Sequence, residues 1–198
     1  MIHSIKGKIT ETGSGYVVIE NSGIGFLVNV PLGDAAFMAA DEDVTLYTAM
    51  QVKEDDISLF GFSEKAALEM FNLLITVSGV GGKAAMSVLS ALNPAELQRA
   101  IMAGDVKAIS SANGVGKKTA ERIIIDLKDK VEKLGILSPG EIKKVSRQAP
   151  ILGERAKAVN MLIATGASKN DAENAVASIE DDTLKASQYF MLAAKMFK

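Results

Sequence analysis

Over residues 1–63 apolar side chains alternate with polar ones or gather in short β-branched runs, at Ile5–Thr10, Tyr16–Glu20, Gly25–Val30, Val44–Val52 and Ile57–Phe62. A two-residue period of this kind marks half-buried strands. Clusters of turn formers separate the runs: Thr12-Gly13-Ser14-Gly15, Asn21-Ser22-Gly23, Pro31-Leu32-Gly33-Asp34 and Lys53-Glu54-Asp55-Asp56. Five short strands in so little chain predict a small closed barrel, because closure removes exposed edges.

From Ser63 the period becomes helical. Ser63 is placed to cap a run with Ala67, Phe71, Leu74 and Ile75 on one face. Asn93-Pro94 starts another helix, since asparagine caps and proline suits the first turn. Asp105 caps a third, running to about Ala112, and Lys117 to about Lys133 is a fourth. Gly135 to Pro150 has little periodicity and reads as a linker. Beyond it, Glu154–Thr165, Lys169–Ser178 and Thr183–Met196 predict three short helices around Val159, Leu162, Ile163, Val176, Ile179, Tyr189, Phe190 and Leu192. The expected architecture is α+β and multidomain: a five-stranded barrel (1–63), for which the oligonucleotide-binding (OB) type is one candidate, a helical domain (64–134), a linker (135–150) and a small three-helix domain (151–198).

Charge sharpens this picture. The formal net charge is −2, but residues 1–63 hold three Lys/Arg against nine Asp/Glu, while 64–134 hold ten against eight. Segment charge is therefore more informative than the total. No cysteine is present, which excludes disulfides, thiolate metal sites and thiol nucleophiles. The N-terminus lacks a signal-peptide pattern and no apolar run reaches the length of a membrane span, so a cytoplasmic protein is expected.

Within the helical domain one segment occurs twice. SGVGGKAAMSVL (78–89) aligns without gaps to NGVGKKTAERII (113–124), pairing Gly79 with Gly114, Val80 with Val115, Gly81 with Gly116 and Lys83 with Lys118. The unit is helix, Gly-Val-Gly hairpin, helix. Glycines allow positive φ and close approach by another backbone, and the valine can tuck inward. The next helix then points unpaired N–H groups outward, which is an anion site. This accounts for Lys117 and Lys118 at the unfavourable end of a helix dipole: a bound phosphate offsets the repulsion. Lys83, Lys117, Lys118 and Arg122 would flank phosphates and position a backbone without reading bases.

Other chemistry finds less support. Gly114–Thr119 is not a phosphate-binding P-loop, because Ser111 and Lys118 stand where that pattern needs glycine and Ser/Thr. Gly79-x-Gly81-x-x-Ala84 after the strand-like LLITV admits a dinucleotide-binding enzyme, although duplication favours a repeated hairpin. An acidic nuclease is a third alternative. KEDD (53–56) and Asp41-Glu42-Asp43 read as solvated turns, and His3 is the only histidine, so a metal centre and a catalytic triad lack partners. No cofactor is expected.

With both hairpins in hand, the chain resembles the RuvA family, the Holliday-junction-binding subunits of the bacterial branch-migration machinery. The resemblance runs through KEDDISLFGFSEK (53–65), both hairpins and the C-terminal helices, and is most specific in GVGKKTAERIIIDLKDK (114–130). It implies an OB-type barrel, a tandem helix-hairpin-helix domain and a C-terminal domain that docks a RuvB-type hexameric ATPase. It also implies phosphate contacts from Gly79, Val80, Gly81, Lys83, Gly114, Val115, Gly116, Lys117, Lys118 and Arg122, and an acidic pin of Glu54 and Asp55. The implied partners are four-way junction DNA, the motor, a junction-resolving nuclease and further copies of the chain, as a tetramer or a face-to-face octamer. The chain itself would not be an enzyme. Ala167 stands where a bulkier residue is common in the family, so the docking surface is the least distinctive part.

Overall fold

The computed structural model describes residues 2–137, 153–179, 181 and 184–197. Contacts divide the chain into two units, Met1–Arg147 and Gln148–Lys198. Most of the expected linker (138–150) lies outside the described residues.

The alternating runs form strands β1 (Ser4–Gly13), β2 (Tyr16–Asn21), β3 (Ile24–Asn29), β4 (Asp43–Val52) and β5 (Ile57–Phe62). They close into a barrel in the order β1-β2-β3-β5-β4. All pairings are antiparallel except β3 with β5, which meet in parallel at Asn29 and Phe60. The inward positions Ile5, Ile9, Val17, Ile19, Val28 and Leu46 fill the interior. Where a turn was expected, residues Leu32–Ala35 make one helical turn, α1.

Helices α2 (Lys65–Leu74), α3 (Gly82–Ala91), α4 (Pro94–Ala103), α5 (Val106–Ser110) and α6 (Lys117–Glu132) complete the first unit. Ser63 does not cap α2. The N-cap is Glu64, without a side-chain cap bond, and the Ser63 hydroxyl instead donates to Asp34 Oδ2 at 2.8 Å. The caps of α4 and α5 are as expected: Asn93 and Glu96 form a reciprocal capping box, and Asp105 accepts from the Ala108 amide. α5 stops at Ser110, short of Ala112, because Ser111 and Ala112 already belong to the next hairpin. Phe71 of α2 packs on the barrel, its ring centroid 4.9 Å from that of Phe60 and 5.2 Å from that of Phe62. Buried Gln98 fastens the far end. Its amide donates to the Val131 carbonyl and its oxygen accepts from Leu137 N–H, so packing continues to Leu137.

In the second unit α7 (Gly153–Ala164), α8 (Lys169–Ala177) and α9 (Ala186–Ala194) enclose a core of Val159, Leu162, Val176, Ile179 and Tyr189. Thr183 lies outside the described residues, and Lys195–Phe197 is a 3-10 turn. Ile163 and Leu192, expected inside, are 39% and 41% exposed. Arg155 takes the central polar role. Its guanidinium donates to the carbonyls of Val176 and Ile179 and lies 4.7 Å from the Tyr189 ring centroid.

Candidate nucleic-acid interface

The two hairpins have the same local geometry. Gly79 and Gly114 adopt φ of 88° and 76°, conformations that side chains rarely tolerate. Val80 and Val115 are buried, and their amides donate back to Val77 O and Ala112 O at 3.0 and 3.1 Å. These valines are therefore pins that hold each hairpin down, and their N–H groups are engaged within it. The likeness also begins earlier than the sequence alignment showed. The Thr76 and Ser111 hydroxyls each donate at 2.7 Å to the carbonyl three residues back, Leu73 O and Ala108 O.

Each hairpin delivers the chain into a helix through a glycine N-cap. Gly81 (φ −93°, ψ 176°) and Gly116 (φ −76°, ψ 166°) have extended backbones and provide no side-chain cap. The first amides of α3 and α6 therefore face outward without an internal acceptor. At neither glycine would an added Cβ meet an atom within 4 Å. Neither φ nor internal crowding requires glycine there; the backbone is left bare toward solvent.

The cations are placed unequally. Lys83 and Lys118 are exposed in the first turns of α3 and α6. Lys117 is also exposed, with Nζ 4.0 Å from Glu121 Oε1. Arg122 turns toward the other hairpin, and its Nη1 donates to Ser78 O at 3.0 Å. Position 82, where the second copy has Lys117, must be glycine. A Cβ there would lie 2.5 Å from Phe60 Cζ, so the barrel wall occupies that space.

The acidic tip is a four-residue connection between β4 and β5. Lys53 N–H donates to Asp56 O at 2.8 Å, and the Asp56 carboxylate accepts from the Ser58 hydroxyl. Glu54 and Asp55 are exposed on this closed tip. Asp56 is thus part of the turn's own bonding rather than a third projecting carboxylate.

Residues 1–61 match the family described as RuvA N terminal domain, and residues 71–129 match the SAM-like helix-hairpin-helix tandem. A curated Holliday junction branch migration complex subunit RuvA of Thermoanaerobacter pseudethanolicus is 40% identical over 93% of this chain and 94% of its own. The protein of the same description in Alkaliphilus oremlandii is 35% identical over 98% of both chains. That of Christiangramia forsetii is 49% identical over 68% of this chain and 69% of its own. The chain belongs to the RuvA family.

The dinucleotide alternative fails on topology. Leu73 and Leu74 end α2, and Ile75–Val77 enter the hairpin, so Gly79-x-Gly81 follows a helix rather than a strand. Among the described residues no group of three or more His, Cys, Asp or Glu is arranged to hold a metal, and no helix is long and apolar enough to cross a membrane. Thr76, Ser111 and Gly82 escaped sequence reasoning. The threonine and serine are different residue types doing one job, and the constraint on Gly82 comes from a strand more than twenty residues away.

Proposed function

We propose that this chain binds the four-way DNA junction, holds it open and brings a hexameric ATPase motor to it for branch migration in recombination and repair. The observation that carries this reading is the pair of like hairpins, each ending in a bare glycine N-cap beside an exposed lysine, in a chain of the RuvA family. Amides at Gly79, Gly81, Gly114 and Gly116, with Lys83, Lys117 and Lys118, grip sugar-phosphate backbone. Helix N-termini and cations favour phosphate and carry no base code. The chain performs no catalysis; ATP hydrolysis belongs to the motor.

Glu54 and Asp55 form the pin. In a tetramer four such tips surround the crossover, repel phosphates and guide strands apart, while the hairpins hold the arms. Two tetramers face to face are the alternative assembly. The second unit is the motor-docking domain, and its exposed Met161, Ile163, Met191 and Leu192 give it apolar surface for a protein partner. A junction-resolving nuclease would share the same DNA, and the cytoplasm is the compartment of this work.

A gel shift with a synthetic four-way junction beside a matched linear duplex, across a salt series, tests the reading. The junction should be bound more tightly at every salt concentration, with affinity falling steeply as salt rises. Equal affinity for both DNAs would sink it.

A further inference from the structure

The hairpins must act at a fixed separation if they are to grip one backbone together, and a single side chain spans them. Arg122 lies in the second turn of α6, and its Nη1 donates at 3.0 Å to the carbonyl of Ser78, 44 residues earlier in the first hairpin. Ser78 directly precedes Gly79, whose φ of +88° makes it the most permissive point of that hairpin. Nη1 is also the nearest atom to a Cβ built on Gly79, at 3.8 Å. The guanidinium therefore seats against the one residue best able to change the course of the chain.

The internal repeat shows that this tie has no twin. The alignment that pairs the hairpins sets Arg122 against Ser87 and Ser78 against Asn113. Ser87 is far too short for an equivalent reach, and both it and Asn113 line an open cleft of about 370 Å³ between α3, the second hairpin and the barrel. One side of the hairpin pair is braced by an arginine and the other is left open.

We infer that Arg122 is a positioning residue, a strut that holds the first hairpin against the helix of the second so that their amides meet the DNA as one rigid unit. This rests on the phosphate-binding reading above and adds a positioning role to the phosphate contact that the resemblance implies for this side chain. Arginine suits the task because its planar fork fixes direction as well as charge, which lysine does not.

The test uses the full chain with Arg122→Ala and Arg122→Lys, a synthetic four-way junction titrated over a salt series, and hydrogen exchange of the free protein. Lysine keeps the charge but ends short of the guanidinium nitrogens. Arg122→Lys should bind about 3- to 10-fold more weakly, the loss of one exposed hydrogen bond, with the salt dependence of the parent, and Arg122→Ala should bind at least as weakly. The Val80 amide, bonded to Val77 O within the first hairpin, should exchange faster in both while the Val115 amide does not. The strut is overturned if Arg122→Lys binds like the parent or if exchange at the Val80 amide is unchanged. Should Arg122→Ala fail to fold, Arg122→Lys decides by affinity and exchange. Lys118→Glu in the same titration separates the two proposals. Normal binding by that variant sinks the phosphate reading itself, whereas its failure beside a normal Arg122→Lys sinks the strut alone.

Discussion

Gly82 sits so close to Phe60 that a Cβ on it would lie 2.5 Å from the ring's Cζ, with 2.9 Å to Cε2. The ring cannot yield easily, because it is buried and packed against Phe71. Gly82 is thus where the first hairpin's helix docks on the barrel. Gly82→Ala should destabilise the first unit by about 1–3 kcal/mol, the usual cost of overpacking, read as a lower denaturation midpoint with unchanged slope. The matching change in the other copy, Lys117→Ala, should leave stability within about 0.5 kcal/mol, as at most exposed sites.

The lysines should separate in DNA binding as they do in surroundings. Lys83 and Lys118 form no ion pair among the described residues, while Lys117 is 4.0 Å from Glu121. Replacing Lys83 or Lys118 by alanine should weaken junction and duplex binding alike and lower the log–log salt slope by about 0.9 each. Lys117→Ala should do less, since Glu121 already offsets part of its charge. Fluorescence anisotropy over a salt series measures all three, and an unchanged slope for Lys118→Ala would remove it from the phosphate contacts.

How much of this was legible in the sequence follows the range of the forces involved. Alternation fixed the five strands because one face of each strand must enter the barrel. Asn93 and Asp105 were found because a cap bond spans three residues, well inside any local window. Ser63 does not cap α2 because its hydroxyl bonds to Asp34, 29 residues away, a partner no local window contains. Gly79 and Gly114 were legible as turn formers, whereas Gly82 looks like a third loop glycine until Phe60 is beside it. Ile163 and Leu192 carry core-like chemistry, but helical spacing in a domain of three short helices does not say which apolar stripe is covered. Arg122 looked like one more cation in a basic segment. Only the fold brings Ser78 O to it.

The acidic tip separates fold from function within four residues. Its closure depends on the Lys53 amide and on the Asp56 carboxylate with Ser58, not on Glu54 or Asp55. The double variant Glu54→Gln, Asp55→Asn should therefore keep the parent's melting temperature. It should preserve or strengthen DNA binding, because two repelling charges are gone, and narrow the preference for junction over duplex. Asp56→Ala, which removes the acceptor for Ser58, should instead loosen the tip, seen as faster exchange of the Lys53 amide. A double variant that unfolds would show the pin to be structural.

Gln98 is fully buried and joins two parts of the chain that share no other side-chain bridge of this kind among the described residues, accepting from Leu137 and donating to Val131. Gln98→Leu keeps the volume but strands the Leu137 amide, while the Val131 carbonyl keeps its bond from Leu134 N–H. A buried polar group left unpaired costs about 1–3 kcal/mol, and a unit of this size loses about 2–4 °C of Tm per kcal/mol. The variant should melt several degrees lower. Its first local sign should be fast exchange at the Leu137 amide.

The second unit should lose stability in acid through Glu154. The Lys157 ammonium, hydrogen-bonded to its carboxylate, and then the Ala186 amide hold its pKa below the ordinary 4.5, against a smaller upward push from desolvation. The Ala186 bond, 2.9 Å long, ties α7 to the first residue of α9. A carboxyl whose pKa is depressed on folding contributes stability that is complete above its unfolded value and is lost as pH falls through the folded value. The contribution is therefore present at pH 7 and begins to fall as pH drops past about 4.5, an ordinary carboxyl value. Glu154→Gln keeps an acceptor for Ala186 but has no charge to protonate. Amide exchange of α7 and α9 from pH 7 downward should show the parent converging on the variant below the folded pKa, after exceeding it in protection at neutral pH. Parallel curves over the whole range would mean that the charge of Glu154 does not support the helix pair.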